Sequence, residues 1–372
     1  MSDRIGIMNR HSLTHSICVA VLLFAVPGMT QSSQGTSVGP FTSVGRQLVR
    51  RVPAEWEPHE ATWMQWPRWY ESTYRPAFAE IIDILQSHEP VRIIANSPGE
   101  RNQAQNFLTS QGVSLSNVDF HVLPVDSAWM RDNGPVWLNR RGQLVVQDWG
   151  FDGWGGLTSF YQLDDAIPPQ VAAIEGLPVE DWNHIVHERG DLELNGVDTV
   201  IVSWPCFGSR NPTLTQAQLT QVLKDSLGVR KVVWLLSGPA SDVTGGHVDA
   251  ITRFIDANTV VVPQYTFSHP EAQVYDEAAT IVQSAGIQVI RMDVPGQVFY
   301  SGIWMSANYL NWYVANDVVV VSGFNNTQWD NAARQAVQGY FPGRSVQVVD
   351  TREMWYWGGG VHCVTNDQPL LP

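Results

Sequence analysis

The chain has 372 residues, 44% of them hydrophobic and only 16% charged, which excludes a largely disordered protein. Asp and Glu number 36 against 22 Lys and Arg, a net charge of −14 with histidine neutral. That balance argues against a nucleic-acid partner, because phosphate binding needs a basic footprint. It suits a cationic ligand better, and 16 tryptophans offer apolar walls that can meet a cation.

Residues 1–30 read as a signal peptide. Arg4 and Arg10 precede an uncharged apolar run, Ile17–Val26, which Pro27 and Gly28 break; Thr30 is a small residue near a plausible cut. The run is too short to span a bilayer. The expected location is therefore outside the cytoplasm, periplasmic or secreted, with no membrane association beyond export. An uncleaved anchor, or a cytoplasmic protein with a misassigned start, is the alternative. Residues 31–52 are rich in Ser, Gly and Thr and read as a flexible leader, and 53–372 as a single catalytic domain.

From there, helical and strand periodicities alternate. Phe78, Ile81, Ile82 and Leu85 fall at helical spacing, followed by strands from Val91 and Val118. A strand from Thr199 leads to a helix carrying Leu219, Val222, Leu223 and Leu227, with Thr213 or Thr215 placed to cap it. Strands from Lys231 and Thr259 come next. A helix over Val274, Ala278, Ile281, Val282 and Ala285 then ends at Gly286. Strands from Ile287 and Val318, a helix through Ala333, Ala336, Val337 and Tyr340, and a strand from Val346 complete the series. This is an α/β pattern, for which a doubly wound sheet is the default. It lacks that fold's Gly-rich phosphate turn, and no P-loop appears.

Four stretches carry residue types suited to chemistry. In "AWMRDNGPVW", Arg131 and Asp132 precede a turn and lie between Trp129 and Trp137; this is either a structural ion pair or a carboxylate in a pocket wall. In "VHERGDLELNG", Glu188, Asp191 and Glu193 crowd Arg189, a pattern that also fits a solvated turn. In "TGGHVDAITRF", a strand would point His247 and Asp249 to one face, as a metal half-site or an acid–base pair. In "WGGGVHCVTN", Gly358, Gly359 and Gly360 adjoin His362 and Cys363. A strand there would separate His362 from Cys363, making His247 the better partner for the thiol. Cys206, in "SWPCFGS", reads as a small buried hydrophobe, and a disulfide between it and Cys363 is not expected.

Together these stretches supply what guanidinium hydrolysis needs. The cation is permanent and its carbon a poor electrophile. Carboxylates must grip the planar N–H fork, a soft nucleophile must attack the carbon, and an imidazole must protonate ammonia and then activate water. Asp132, Asp249, Glu188, Cys363 and His247 are such a set.

The ordered motifs "EWEPHEATWMQWP", "AWMRDNGP", "DWGFDGWGGL", "GSRNPTLT", "GGHVDAITRF", "YLNWYV" and "GGGVHCVTNDQP" resemble the agmatine deiminase family. That family also includes bacterial-type peptidylarginine deiminases, within the guanidino-group-modifying superfamily. The resemblance runs from about Pro53 to Pro369. It implies a five-bladed α/β propeller of pseudo-fivefold symmetry with a central active site. It also implies Cys363 as nucleophile, His247 as general acid and base, Asp132 and Asp249 as guanidinium-binding carboxylates, and Glu188 as the family's glutamate. Trp129, Asp152, Trp154, Gly360 and Asn311 are the further candidates at the substrate. The landmarks are evenly spaced: 56 residues from Asp132 to Glu188, 59 to His247, and 116 to Cys363, close to two repeats. No metal or organic cofactor is implied; the implied partner is a small cationic guanidino compound, and a homodimer is compatible with the resemblance.

Arg189 departs from the family, which has glycine there. Pointing inward, it would repel an amine such as agmatine and welcome the carboxylate of arginine or a peptidyl-arginine. Paired with Asp191 or Glu193, it would change nothing. "DWGFDGWGGL" follows the agmatine type, with Asp152 and Trp154 where the peptidyl enzymes place arginines. Two other classes remain: a metallohydrolase using His247, Asp249 and His362, and a non-catalytic exported protein that captures polyamines or arginine-like ligands.

Overall fold

The computed structural model describes residues 50–371. The expected signal peptide and most of the expected leader lie outside the described residues.

Parallel strands cannot be joined by a tight hairpin, so each parallel pair needs a crossover. Among the described residues the crossovers are the helices Arg75–Gln86, Pro98–Ser110, Ile167–Glu175, Gln216–Leu227, Ala272–Ser284 and Thr327–Tyr340. Every strand read from the sequence is present, at Val91–Ala95, Val118–Val122, Thr199–Ser203, Lys231–Leu235, Thr259–Gln264, Gln288–Asp293, Val318–Gly323 and Ser345–Asp350. The helical stripes are present too: Phe78, Ile81, Ile82 and Leu85 are all buried in one core cluster. Thr215 caps its helix in a capping box with Gln218.

The strands do not form the single doubly wound sheet taken as the default. They form five separate sheets of three or four strands and a two-stranded hairpin, Gly296–Tyr300 with Ile303–Ala307. The five sheets repeat one plan, in which two parallel strands lie side by side and an antiparallel strand flanks the first. The flanking strands are Val136–Arg140, Glu193–Leu194, Arg253–Asp256, Tyr313–Ala315 and Asn366–Pro369. The last of these pairs with His59–Gln65, so the final described strand completes a sheet whose other strands lie near the start of the described chain.

Most of these flanking strands are too short to show a period of two, and the sequence reading missed them. They position the site. Each is entered through a turn that carries one candidate residue: Asp132, Glu188, Asp249, Asn311 and Cys363 in chain order. Two sequence expectations are corrected here. "HVDAITRF" is not a strand from its start: Val248–Ala250 is a 3-10 turn, and the strand begins at Arg253. His362–Val364 is also a 3-10 turn and not a strand. Side chains supply the backbone partners that a ladder would have supplied. The His247 N–H donates to Asp242 Oδ2 at 3.1 Å, and the His362 N–H donates to Asn311 Oδ1 at 3.0 Å.

Candidate active site

His247, Asp249, Asn311 and Cys363 line one cavity, together with Asp242 and Gly359. The cavity holds about 560 Å³ of empty space, its open mouth included, and no Lys or Arg among the described residues lines it. The thiol expected to meet His247 therefore shares a cavity with it, across 116 residues of sequence. The Cys363 Sγ accepts the Asn311 Nδ2–H at 3.1 Å and lies 3.7 Å from Asp249 Oδ2. Burial raises the thiol pKa well above its usual value, and the Asp249 and Asp132 charges push the same way.

The three glycines have a local reason at Gly359. A Cβ there would lie 3.0 Å from Cys363 Sγ and 2.5 Å from the Trp129 ring, so only glycine lets the chain pass between the indole and the sulfur. Gly360 packs in the same way against Asn311 and Ser322.

Asp249 divides its oxygens. Oδ2 accepts from Asn311 Nδ2 at 3.1 Å and meets His362 Nδ1 at 2.8 Å, while Oδ1 has no protein partner among the described residues. Burial opposes ionisation of Asp249, but the hydrogen bond and charge of His362 outweigh it and lower the pKa.

Asp132 and Glu188 stand against His247 and do not line the cavity wall themselves. Asp132 Oδ1 lies 3.6 Å from His247 Nδ1 and accepts the Gly190 N–H at 3.2 Å. Its Oδ2 accepts the Trp154 indole N–H at 2.9 Å. Burial pushes the Asp132 pKa up to about 6. Glu188 Oε2 lies 3.2 Å from His247 Nε2, and its Oε1 accepts from Arg210 Nε at 2.8 Å. Burial works against ionisation of Glu188, yet His247 and Arg210 hold the pKa at about 2. Burial also disfavours the imidazolium of His247, but Asp132, Glu188 and Asp242 overcome it and raise the pKa well above 6.5. His247 is thus charged at neutral pH and can donate a proton.

Several sequence-predicted residues sit elsewhere. Arg189 neither faces this cavity nor pairs with Asp191 or Glu193. It is buried and pairs with Asp367: Nη2 donates to Oδ2 at 2.8 Å and Nη1 lies 2.7 Å from Oδ1, beside Arg131 on the same carboxylate. The glycine that matters is the next one: a Cβ on Gly190 would come 2.5 Å from Asp132 Oδ1 and 2.7 Å from His247 Nδ1. Asp152 does not reach the cavity either; its Oδ1 accepts the Gly155 N–H at 2.6 Å and lies 3.9 Å from Arg210 Nε. Trp154 acts on Asp132. Trp129 touches the glycine run, not the cavity wall.

Sequence reasoning missed Asp242, Arg210, Glu55 and Asp367. Only the tertiary fold brings these to the site, and each is an ordinary charged residue in its own segment. Cys206 is buried as expected, yet it is more than a hydrophobe: its Sγ–H donates to Glu188 Oε2 at 3.2 Å. Both Cys206 and Cys363 are free thiols. Glu188, Cys206 and His247 hold donor atoms within 4.8 Å of one another and could hold a metal ion. That set is not the His247, Asp249 and His362 set considered from the sequence, and the Arg210 guanidinium on Glu188 opposes a dication there.

The sequence pattern of the Porphyromonas-type peptidyl-arginine deiminases matches residues 51–369. The chain belongs to this family. An agmatine deiminase of Pseudomonas aeruginosa is 29% identical to it over 367 residues, covering 88% of this chain and 98% of that one. The solved agmatine deiminase of Enterococcus faecalis superposes on this deiminase-family chain with a TM-score of 0.79. It is 25% identical, covering 88% of this chain and 98% of the other. A Campylobacter jejuni agmatine deiminase solved with substrate bound shares the fold at 20% identity and a TM-score of 0.78, covering 87% and 97%.

Proposed function

We propose that the protein hydrolyses the guanidino group of agmatine to N-carbamoylputrescine and ammonia. The observation that carries this is the wall itself: a thiol, an imidazole and a carboxylate around one cavity that no Lys or Arg among the described residues lines. Asp249 Oδ1 and, once His247 shifts, Asp132 grip the N–H fork. The Cys363 S–H bond breaks as its proton passes to solvent, and the thiolate attacks the central carbon, forming a C–S bond. His247 gives its proton to the departing nitrogen as the C–N bond breaks, and ammonia leaves. The neutral imidazole then takes a proton from water, whose oxygen attacks the amidino-thioether. The C–S bond breaks, the hydroxyl proton passes to the departing sulfur, and the ureido product leaves.

An amine at the far end of the substrate suits this cavity, because Asp242 and Asp249 line it and, among the described residues, no Lys or Arg does. The carboxylate of free arginine would gain nothing from Arg189, which is bound to Asp367 and does not line this cavity. The repeated sheet plan supports a reading as a five-bladed propeller with the five entry turns converging. The apolar run at Ile17–Val26 supports export; sequencing the N-terminus of protein recovered outside the cytoplasm tests it.

Ureido formation assayed over agmatine, arginine and arginine-ended peptides tests the substrate. Agmatine should be turned over and arginine should not. Cys363→Ser should abolish ammonia release while circular dichroism stays unchanged; a variant that still turns over ends the covalent mechanism.

A further inference from the structure

Arg210 lies outside the cavity wall, yet its guanidinium reaches both segments that hold His247. It ends the helix Trp204–Arg210, and its side chain is 7% exposed. Nε donates to Glu188 Oε1 at 2.8 Å, and Nη2 donates to the Thr244 carbonyl at 2.7 Å. The third nitrogen is packed close: a Cβ on Gly155, whose φ is +71°, would lie 2.6 Å from Arg210 Nη1. One rigid plane therefore sets the directions of both bonds, which the point charge of a lysine does not do.

Each bond fixes a different support of the imidazole. With Oε1 held by Arg210, Glu188 turns Oε2 to Cys206 Sγ and to His247 Nε2, each at 3.2 Å. The Thr244 hydroxyl and backbone N–H donate to Asp242 Oδ1 at 2.6 and 2.8 Å, and Asp242 Oδ2 accepts the His247 N–H. The bond to the Thr244 carbonyl thus steadies the turn from which the ring leaves the chain. His247 Nδ1 makes no hydrogen bond among the described residues, and Asp132 Oδ1 stands 3.6 Å from it. Nε2 on Glu188 is therefore the ring's anchor, and Nδ1 is the nitrogen free to give a proton. Once Asp132 turns to the guanidinium of a substrate, Glu188 is the carboxylate left to keep the ring in place.

We infer that Arg210 positions His247 for its two proton transfers, by clamping Glu188 and the Thr244 carbonyl in one guanidinium plane. It touches neither the cavity nor the reacting sulfur, so it is a positioning residue that acts through Glu188 and the His247 turn. The inference rests on the proposed role of His247 as general acid and base. A displacement of the imidazole by about 1 Å costs roughly 100-fold in rate, and that is the loss expected when the clamp is removed.

The test uses Arg210→Gln in the full chain. Ureido formation from agmatine should show kcat down about 100-fold with KM within about threefold of wild type, because Asp249 and Cys363 stay in place. Arg210→Lys returns the charge without the fork and should recover about tenfold of that loss. In a Glu188→Gln background, where the clamp has lost its carboxylate, Arg210→Gln should cost about tenfold or less, since the two residues act as a unit. A second readout needs no substrate. The Nε2 proton held on Glu188 should give a downfield signal in the proton NMR spectrum, assigned by its absence in His247→Gln. Arg210→Gln should lose that signal to exchange with water while circular dichroism stays unchanged. A wild-type kcat, a loss confined to KM, an unmoved downfield proton or fully additive losses would each overturn the inference. Should Arg210→Gln not fold, Arg210→Lys carries both readouts, and wild-type values there overturn it equally. If wild-type protein turns over no agmatine while the downfield proton still depends on Arg210, the substrate assignment fails and the positioning stands.

Discussion

Gly190→Ala tests how tightly the site is packed at a position two residues beyond Glu188. The added Cβ would sit 2.5 Å from Asp132 Oδ1 and 2.7 Å from His247 Nδ1. Ordinary contacts lie near 3.5 Å, so these groups must withdraw by roughly 1 Å. Both are buried, so the shift has little room. Overpacking of this kind costs about 1–3 kcal/mol of stability. A displacement of about 1 Å at the reacting groups costs roughly 100-fold in rate, or about 2.7 kcal/mol of barrier. Asp132 also loses its bond from the Gly190 N–H if the turn moves. Steady-state ureido formation from agmatine should therefore show kcat down about 100-fold, with a thermal midpoint only a few degrees lower. Arg189→Gly is the companion, because it restores the residue usual in the family. Asp367 would keep Arg131 as a partner, so kcat should stay near wild type while stability falls. Gly190→Ala with kcat within about threefold of wild type, a barrier change of under about 1 kcal/mol, would refute the packing argument.

The remaining expectations concern charge. Trp154→Phe removes the indole N–H from Asp132 and leaves that buried carboxylate one donor short, at a cost of about 1–3 kcal/mol. Asp132 titrates at about 6, and its carboxylate is needed ionised to hold a cation, so wild-type kcat/KM should fall as pH drops through about 6. In Trp154→Phe that limb should move to higher pH; an unmoved limb would show that Asp132 does not govern it. For stability, the Glu188 pKa is lowered to about 2 in the folded state from 4.5. Its contribution should be complete above about 4.5 and be lost as pH falls towards about 2. His247 is raised, so its contribution should be complete below about 6.5 and be lost as pH rises through the folded value. Denaturant melts of the wild type, Glu188→Gln and His247→Gln across pH check both signs. Equal slopes in all three would contradict them.

Four of the long helices and many of the parallel strands were legible because burial on one face imposes a period over many residues, whereas the helices Pro98–Ser110 and Ile167–Glu175 and the strands His59–Gln65, Gln143–Gly150 and Val179–Val186 were not read from the sequence. The stripe from Phe78 to Leu85 and the strand from Val318 are such cases. The short strands Glu193–Leu194 and Tyr313–Ala315 were not legible, because two or three residues hold no period. The residues of the site were legible as chemical types. Their geometry was not: "HVDAITRF" has strand composition but begins as a turn, because Asp242 and Thr244 accept the His247 N–H ahead of any neighbouring strand. Arg189 could have faced the substrate on sequence alone. It turns instead to Asp367, a carboxylate 178 residues away that the final strand delivers.

The sequence by itself determined the acidic balance, the alternation of strands and helices, and the types of group that could attack and hold a guanidinium. It did so because composition and periodicity are local properties. Only the tertiary structure decided which acids press on His247, where Arg189 goes, and that His362 is held between Asp249 and Glu55. Those outcomes depend on distances between side chains far apart in the chain, and on the burial that makes each nearby charge felt.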